Sequence, residues 1–393
     1  MQPRVPMASR PSSEPTGAAL RSMARPDLNG CPWHDVKSMQ DMGEFEIHLL
    51  VPNAWKETTQ VVRCEPESQS TLHIHQTGIL FGYRHHRVIY RGLFHTIREF
   101  RPDFILAVHA PENYASLQLL AARRFIDSSV RIGLFASRNI DLPAIGFPYK
   151  LAFLNSACDR WTAKSKVDVV FHRPKAFGHL YQRYTRKTVY VPHNVDCAFF
   201  KRDRPLQNGG PGPLVVGYVG RLVEEKGVHL LIEAMSHLPD HVRLSITGEG
   251  PFRGRLEEQA ARLGISDRIR FDGLVPHAAM PGLLNGFDAL VLPSLATVHW
   301  KELFGRVLIE AMACGVPVLA SNSGGIPEVV GDAGVLFKPG SVEDLEGKLL
   351  DLLTHSQVRK ELAERGRERA LQSFDTRVVA RKLAEEVTRI LQT

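Results

Sequence analysis

The chain has 393 residues, of which 44% are hydrophobic and 23% are charged, a composition that excludes a disordered, fibrous or disulfide-stapled protein. Its net charge of +7 comes from residues 1–200, which carry 25 basic and 17 acidic side chains against 24 and 25 in residues 201–393. The two halves therefore differ electrostatically, as expected where one of them faces an anionic partner.

The five cysteines are scattered and form no C-x-x-C pair, which favours reduced thiols in a cytosolic protein over a disulfide or zinc framework. No apolar run approaches the ~18 residues of a membrane-spanning helix. The N-terminus has no continuous apolar core of the kind found in secretory signals. The sequence thus predicts a soluble, cytoplasmic protein.

Residues 1–43 are rich in Pro, Ser and Arg, and the prolines predict an irregular N-terminal extension. From residue 44, strand-like segments alternate with helical ones, which predicts βαβ units and a parallel sheet in a domain over 44–200. Its strands are predicted at Phe45–Val51, Asp103–Val108, Arg131–Phe135, Val167–Phe171 and Thr188–Val191, and its helices at Arg91–Phe100 and Ala115–Phe125.

Residues 201–213 hold three glycines and three prolines and are predicted to be a linker. A second α/β domain follows over 214–373, and residues 374–393 form a closing helix. The strands of this domain are predicted at Leu214–Val219, Arg243–Thr247, Ile269–Phe271, Ala289–Leu292, Val316–Ala320 and Val335–Phe337, with final helices at about 341–371 and 375–391. Ligands of such folds bind beyond the carboxyl ends of the strands, so the cleft between the halves is the expected site.

A strand-to-helix turn with basic residues opens the second domain. Segment Gly217–Gly227 reads GYVGRLVEEKG, with Gly220 and Arg221 in the turn and Lys226 before the helix. Backbone N–H groups and the helix dipole favour an anion at such a turn, and an arginine fork with a nearby lysine would complete a diphosphate clamp. The same pattern also fits a solvated turn with two surface cations.

Two acidic residues flank a glycine in the segment ELFGRVLIE. Gly305 marks the turn from which a helix starts, which leaves Glu302 in the loop and places Glu310 inside the helix. Glu310 lies in the apolar run VLIEAMACGVPVLA, where a buried carboxylate is costly unless it is hydrogen-bonded. The diol of a ribose would satisfy it, and the alternative is an arginine across the domain. Trp300, beside Glu302, either packs against the cleft or caps a loop.

Two further glycine turns follow strands of the second domain. One is Gly248–Gly250 after the strand Arg243–Thr247, and the other belongs to Ser321–Val330, which reads SNSGGIPEVV. Each either faces the cleft or is only a tight turn, and the pattern alone leaves both readings open.

Together these segments resemble the family 4 retaining glycosyltransferases, whose fold is GT-B. The similarity is strong over roughly residues 214–340 and weaker over 45–200. It is carried by GYVGRLVEEKG, TGEGP, DALVLPS and WKELFGRVLIEAMACGVPVLASNSGGIPEVVGDAG, with weaker matches in LLVPNAW, RPDFILAVHAPENYASLQ and VYVPHNVDCAFF. The resemblance implies α/β architecture, with two Rossmann-like domains whose parallel sheets face a central cleft and a C-terminal helix that returns to the N-terminal domain.

The resemblance also implies a UDP- or GDP-linked sugar as the donor, bound by the second domain, with no cofactor and no metal. By position, Arg221 and Lys226 would hold the diphosphate, Glu310 the ribose hydroxyls and Glu302 the donor sugar. The other implied donor contacts are Gly220, Gly248, Leu303, Phe304 and Gly305, with Leu274 and Val275 beside the base. Charge grows on the departing diphosphate as the glycosidic bond stretches, and a fixed Arg/Lys pair in a dry cleft stabilises that charge.

Two features depart from the family pattern. The expected first strand and its glycine-rich loop are not found, because the Pro-rich residues 1–43 stand in their place. Many members have a histidine after the strand that matches Arg131–Phe135, where this chain reads ASRN (Ala136–Asn139). His109, after the strand Asp103–Val108, is the nearest substitute for that catalytic position.

A basic strip lies in the first half of the chain. It is either a solvated face or a surface that meets an anionic membrane or an acidic acceptor. Nucleic acid is not expected as a partner, because no aromatic stacking platform accompanies the strip. Its members are RHHR (Arg84–Arg87), Arg91, His95, Arg98 and Arg101.

The sequence therefore predicts a cytoplasmic, metal-independent, retaining hexosyltransferase that acts on a carbohydrate or lipid-linked acceptor in polysaccharide biosynthesis. Because the N-terminus is atypical, the alternative is a catalytically impaired sugar-nucleotide-binding protein of the same fold. An α/β hydrolase or a dinucleotide-dependent epimerase would need a G-x-S-x-G elbow or an early G-x-G-x-x-G, and neither is present.

Overall fold

The computed structural model describes residues 18–23, 33–56, 61–63, 73–80, 88–137, 152–203, 212–297 and 300–393. The strands of the first half are β1 (Ala18–Met23), β2 (Phe45–Pro52), β3 (Ala54–Lys56), β4 (Val61–Arg63), β5 (His73–Thr77), β6 (Ile79–Leu80), β7 (Ile89–Tyr90), β8 (Phe104–Ala107), β9 (Arg131–Ser137), β10 (Val169–Arg173) and β11 (Thr188–Tyr190). Its helices are α1 (Trp33–Asp41), α2 (Leu93–Phe100), α3 (Tyr114–Phe125) and α4 (Ala152–Ser165).

In the second half the strands are β12 (Leu214–Val219), β13 (Val242–Thr247), β14 (Ile269–Gly273), β15 (Ala289–Leu292), β16 (Val318–Ser321) and β17 (Val335–Phe337). The helices are α5 (Val228–His237), α6 (Arg253–Arg262), α7 (Met280–Asn285), α8 (Arg306–Ala313), α9 (Ile326–Val330), α10 (Val342–Thr354), α11 (Ser356–Arg369) and α12 (Thr376–Leu391). None of the described helices combines the length and the hydropathy that crossing a membrane requires.

Both halves are built on a parallel sheet with the same order of strands. The first sheet runs β11-β10-β9-β8-β1-β2-β5 and the second β14-β13-β12-β15-β16-β17. In each, the first strand along the chain lies inside the sheet and the order reverses beside it, which is the Rossmann arrangement. The prediction of two Rossmann-like domains with parallel sheets is confirmed. Two short hairpins, β3-β4 and β6-β7, lie outside the sheets.

The prediction of an irregular extension over residues 1–43 is wrong, because residues 18–23 form β1 and residues 33–41 form α1. β1 pairs in parallel with β2 on one side and β8 on the other, so it lies within the first sheet. Its sequence, AALRSM, has no β-branched residue and carries a weak strand signal. Backbone pairing on both edges stabilises it independently of its side chains. The loop that follows, residues 24–32, lies outside the described residues.

Element ends and one domain boundary also differ from the predictions. The long helix predicted over 341–371 is two helices, α10 and α11, which meet at His355. Val195, Cys197 and Phe200, assigned by sequence to the first domain, are buried in the core of the second. The domain boundary is therefore set by where these apolar side chains pack, and it precedes the Gly- and Pro-rich segment from which the linker was predicted. Most of the predicted linker, residues 204–211, lies outside the described residues.

The closing helix α12 packs against the N-terminal domain, as the resemblance implied. Its buried face shares one hydrophobic core with α1, β2 and the neighbouring strands, and Leu383 is 2% exposed there. The chain passes from one domain to the other near Val195 and again near Phe374, and these two segments lie side by side. Val195 N–H donates to Phe374 O at 2.8 Å, and Thr376 N–H donates to Val195 O at 3.1 Å. The helix therefore ties the end of the second domain to the core of the first.

The substitution Leu383→Ala tests this tie. It removes a buried side chain from the shared core, so we expect a loss of about 2–5 kcal/mol in the free energy of unfolding. Val378→Ala, on the same helix but 39% exposed, is the matched control and should change stability little. Urea unfolding followed by circular dichroism measures both. Equal stabilities of the two variants would contradict the packing of α12 described here.

Candidate functional site

The candidate site lies at the carboxyl ends of the second sheet, where the loops after several strands meet. The loop after β12 is joined to the loop after β13 by a hydrogen bond from Leu222 N–H to Glu249 O at 2.9 Å. The loop after β15 is joined to the first by a bond from Leu295 N–H to Glu225 O, also at 2.9 Å. Backbone bonding thus holds these loops as one surface.

Glycines allow these loops to approach each other closely. Gly248 has a φ of +134°, and a Cβ on it would lie 1.9 Å from Gly220 O. Gly324, in the loop after β16, has a φ of +57°, and its Cβ would lie 2.0 Å from Glu302 O. Gly325 N–H donates to the same carbonyl at 2.9 Å. Backbone packing alone therefore requires glycine at these turns, whether or not a ligand contacts them.

Lys226 and Glu302, predicted separately, form an ion pair. Lys226 Nζ donates to Glu302 Oε2 at 2.5 Å, and both side chains are mostly buried. Ser294 Oγ donates to the same oxygen at 3.1 Å. The ring of Trp300 lies 5.4 Å from Lys226 Nζ, so this side chain packs beside the pair. A lysine so fixed is a preorganised charge, because its position does not depend on a ligand.

Arg221 lies in the turn after β12 and is exposed. The buried Tyr218 hydroxyl donates to Arg221 O at 2.9 Å, which holds the turn. Burial raises the pKa of Tyr218, the Glu302 charge raises it further and the Arg221 charge opposes the shift. The Arg221 and Glu302 charges therefore act on the same phenol.

Glu310 lies on α8, one turn beyond its first residue, Arg306. Gly305 precedes the helix with a φ of +78°, where a side chain would be strained. Burial raises the pKa of Glu310, and the Arg306 charge opposes that shift. Within the described part of the chain, the Glu310 carboxylate makes no hydrogen bond or ion pair, so the alternative of an arginine partner is not observed. The carboxylate is left for a ligand that donates hydrogen bonds.

The other predicted donor contacts surround this helix start. Phe304 is 2% exposed, and its ring packs edge-on against His193 at 4.9 Å, so only its backbone is available to a ligand. Leu303 is half-buried beside it. Leu274 follows β14 and is 78% exposed, an open apolar surface, while Val275 packs against the core.

His109 lies on the other domain, just after β8. It is 7% exposed, and its Nε2 lies 3.0 Å from the Tyr90 hydroxyl. The neighbouring strand β9 ends at Ser137, and the next two residues of the ASRN segment lie outside the described residues. His109 is thus at the carboxyl end of the first sheet, whereas the other predicted catalytic residues are on the second.

Two residues at the junction of the domains were not singled out from the sequence. Arg173 ends β10, lies 4.3 Å from the ring centre of Phe135 and donates to His193 Nδ1 at 2.7 Å. Burial, followed by the charges of Arg173 and Arg306, holds the pKa of His193 well below its ordinary value, so this imidazole is neutral near pH 7. The segment VYVPHNVDCAFF contained His193, but nothing in its pattern predicted the arginine beside it.

The domains also meet through a carboxylate. Glu328 on α9 accepts the backbone N–H of Lys175 at 2.8 Å, and its other oxygen is buried without a hydrogen bond in the described residues. Burial raises the pKa of the Tyr190 phenol, and the Glu328 carboxylate raises it further. This contact links the SNSGGIPEVV segment to the N-terminal domain.

The site thus combines a fixed ion pair with side chains that have no partner. Among the described residues, the side chains of Arg221, Arg306 and Glu310 form no hydrogen bond or ion pair. Two unpaired cations and one unpaired carboxylate beside a helix N-terminus suit a ligand with an anionic group and hydroxyls.

Comparisons with known proteins find similarity mainly in this half of the chain. Residues 200–369 match the family model for glycosyl transferases group 1. The sulfoquinovosyl transferase SQD2 of Arabidopsis thaliana is 33% identical over 186 residues, which cover 46% of this chain and 34% of that protein. Glycogen synthase of Mycobacterium tuberculosis is 37% identical over 200 residues, 50% of this chain and 47% of that protein. The matches therefore span less than half the length of these two relatives.

Solved structures match nearly the whole chain. The Anabaena HepE protein in complex with UDP aligns with a TM-score of 0.71 at 20% identity and covers 94% of this chain and 99% of that one. A glycosyltransferase from Rickettsia africae aligns with a TM-score of 0.72 at 15% identity over 96% and 100% of the two chains. With the two Rossmann-like domains and the returning helix, this similarity shows the GT-B fold. Over residues 200–369, the chain is similar to the glycosyl transferases group 1.

Proposed function

We propose that this protein is a retaining glycosyltransferase that transfers a sugar from a UDP- or GDP-linked donor to a carbohydrate or lipid-linked acceptor without a metal ion. The observation that carries the proposal is the unpaired Glu310 carboxylate one helical turn from a cationic helix start, with the fixed Lys226–Glu302 pair beside it. A nucleoside diphosphate supplies both groups that this surface lacks, a diol and an anion. HepE, whose structure is in complex with UDP, shares the fold.

The proposed reaction breaks the bond between the anomeric carbon and the phosphate oxygen of the donor and forms one from that carbon to an acceptor oxygen. The acceptor proton passes to the departing phosphate, so no separate base is required. Negative charge grows on the diphosphate as the first bond lengthens. Arg221 and Lys226 stabilise it, while Glu302 positions Lys226 and contacts the sugar.

The alternative is a catalytically impaired nucleotide-binding protein of the same fold. It rests on the first strand and glycine-rich loop that the sequence analysis does not find. β1 supplies the strand, whereas the residues after it, 24–32, lie outside the described residues. Both readings predict donor binding, so formation of a glycosylated product separates them.

Exposed aromatic residues of the first domain support a proposed contact with an anionic membrane surface. A groove of about 990 Å³ between α3 and α4 is lined by Phe125 and Trp161. These two side chains are 79% and 64% exposed, and the guanidinium of Arg124 lies 5.9 Å from the Phe125 ring centre. Exposed aromatic rings with adjacent cations are typical of proteins that bind anionic lipid headgroups. In the basic strip, Arg91 is exposed, while Arg84–Arg87 lies outside the described residues.

Donor binding is tested first, by calorimetric titration with UDP, GDP and ADP in metal-free buffer. We expect one base to bind in the micromolar range, and Glu310→Ala to weaken it about ten- to hundredfold, because hydrogen bonds to a charged group are lost. The 2′-deoxynucleotide should lose less affinity on this substitution, since it has one hydroxyl fewer. Glu258→Ala, at an exposed glutamate on α6, is the control. Unchanged affinity of Glu310→Ala would remove the ribose role.

Arg221→Ala tests the role of the turn in turnover. Loss of a charge that acts on the leaving group should lower kcat about a hundred- to thousandfold, with a smaller effect on donor affinity. Release of nucleoside diphosphate measures kcat, and calorimetry measures affinity. The exposed Arg262→Ala is the matched control. If kcat and affinity fall by the same factor, Arg221 is a binding residue without a separate role in the transition state.

The membrane contact is tested by sedimentation with vesicles of phosphatidylcholine, with and without phosphatidylglycerol. We expect binding only to the anionic vesicles and its loss at high salt, because screening weakens attraction to the headgroups. The double substitution Phe125→Ser, Trp161→Ser should abolish sedimentation. Leu350→Ser, at a 40% exposed position on the other domain, should not. Equal binding of both variants would exclude this groove as the contact.

A further inference from the structure

Arg306, the first residue of α8, is a cation whose partner is missing. Its Nε is buried and makes no hydrogen bond within the described residues, and no ion pair to its guanidinium is found there either. A buried N–H group that gives up water without gaining an acceptor is costly. Because every polar hydrogen of a guanidinium is a donor, the group that would satisfy Arg306 must be an acceptor.

The neighbouring carboxylate does not fill this role. Glu310 lies four residues further along α8, on the same face, and the Arg306 charge acts on its pKa, yet the two side chains form no ion pair. Side chains on a helix tilt toward its N-terminus, so Arg306 extends past the start of α8 while Glu310 lies a turn behind. Arg306 and Glu310 therefore lie one after the other along α8, so that one extended ligand could contact both.

The charge of Arg306 also acts on His193, at the junction of the domains. It helps to lower the pKa of His193, whose ring packs against Phe304 in the loop before the helix. The Arg306 charge thus acts on a residue of the domain junction. The Arg221 charge acts instead on the Tyr218 phenol, on which the Glu302 charge also acts.

We propose that Arg306 binds the phosphate that carries the donor sugar, as a third cation of the diphosphate site. This inference rests on the proposed function. If Glu310 holds the ribose, the diphosphate follows along the donor, and Arg306 is about 6 Å nearer the helix start. The N-cap residue Gly305 offers no side-chain acceptor to the first N–H groups of α8. These N–H groups favour the same anion.

A third cation changes how charge in the site is balanced. The charge of Lys226 is already matched by Glu302, which accepts from it at 2.5 Å. Among the described residues, Arg306 has no such counter-charge within hydrogen-bond reach, so its charge is available to the ligand. The site should therefore prefer a nucleoside diphosphate over the corresponding monophosphate through Arg306 in particular.

The test compares UDP with UMP, and GDP with GMP, by calorimetry on the full chain. Arg306→Gln should lower the affinity for the diphosphate about ten- to hundredfold and leave that for the monophosphate unchanged. The diphosphate affinity of Arg306→Lys should lie between those of the unaltered protein and Arg306→Gln, because lysine keeps the charge and loses the planar fork. The exposed Arg262→Gln removes one charge from the same domain and should alter neither affinity.

Two results would overturn the inference while leaving the proposed function intact. Equal losses for the mono- and diphosphate would place Arg306 at the nucleoside or reveal a structural defect. Unchanged affinity for both would mean that Arg306 faces the acceptor. If the unaltered protein binds none of these nucleotides, the proposed function itself fails, and the inference with it. Melting temperatures of the free variants show whether Arg306→Gln still folds.

Discussion

Contact between backbones at the carboxyl ends of the second sheet is the constraint on which the candidate site depends. Gly227 follows Lys226, and a Cβ on it would lie 2.1 Å from the carbonyl oxygen of Pro293. The next residue, Ser294, donates to Glu302. Any side chain at Gly227 would therefore separate the loops that carry the two members of the ion pair. The loops fix the positions of the two charges, and the loops can contact each other only because Gly227 has no side chain.

The duplicated architecture explains why a cleft exists. Two parallel sheets with the same strand order each leave an open edge of loops beyond their carboxyl ends, where α/β proteins bind ligands. The second sheet carries the charged groups described above, and the first carries His109 and Tyr90. The paired crossings near Val195 and Phe374, with helix α12, connect the two bodies. The bond from Lys175 N–H to Glu328 adds a polar contact that can break and form at low cost in buried apolar area.

The electrostatics indicate that the site is complete only with a ligand. Burial raises the pKa of Glu310, which disfavours its ionised form. Hydrogen bonds donated by ribose hydroxyls would stabilise that form, so donor binding and ionisation of Glu310 favour each other. The same ligand would supply the anion that Arg221 and Arg306 lack. His193 stays neutral between two arginines, so it adds no further positive charge to the junction.

The sequence by itself determined the alternating α/β class and the approximate positions of the strands in the second sheet, and it singled out the candidate site residues. Its strands are apolar runs, the loops after them carry Arg221, Lys226 and Glu302, and Glu310 follows in an apolar helix, so local pattern and chemistry coincide. Tertiary structure alone decided the rest. β1 is a strand because its neighbours pair with its backbone, and that pairing leaves little trace in AALRSM. The Lys226–Glu302 pair joins residues 76 apart in the chain, and a contact across such a separation leaves no periodicity to detect. Tertiary packing likewise buries the Arg306 Nε without a hydrogen bond among the described residues.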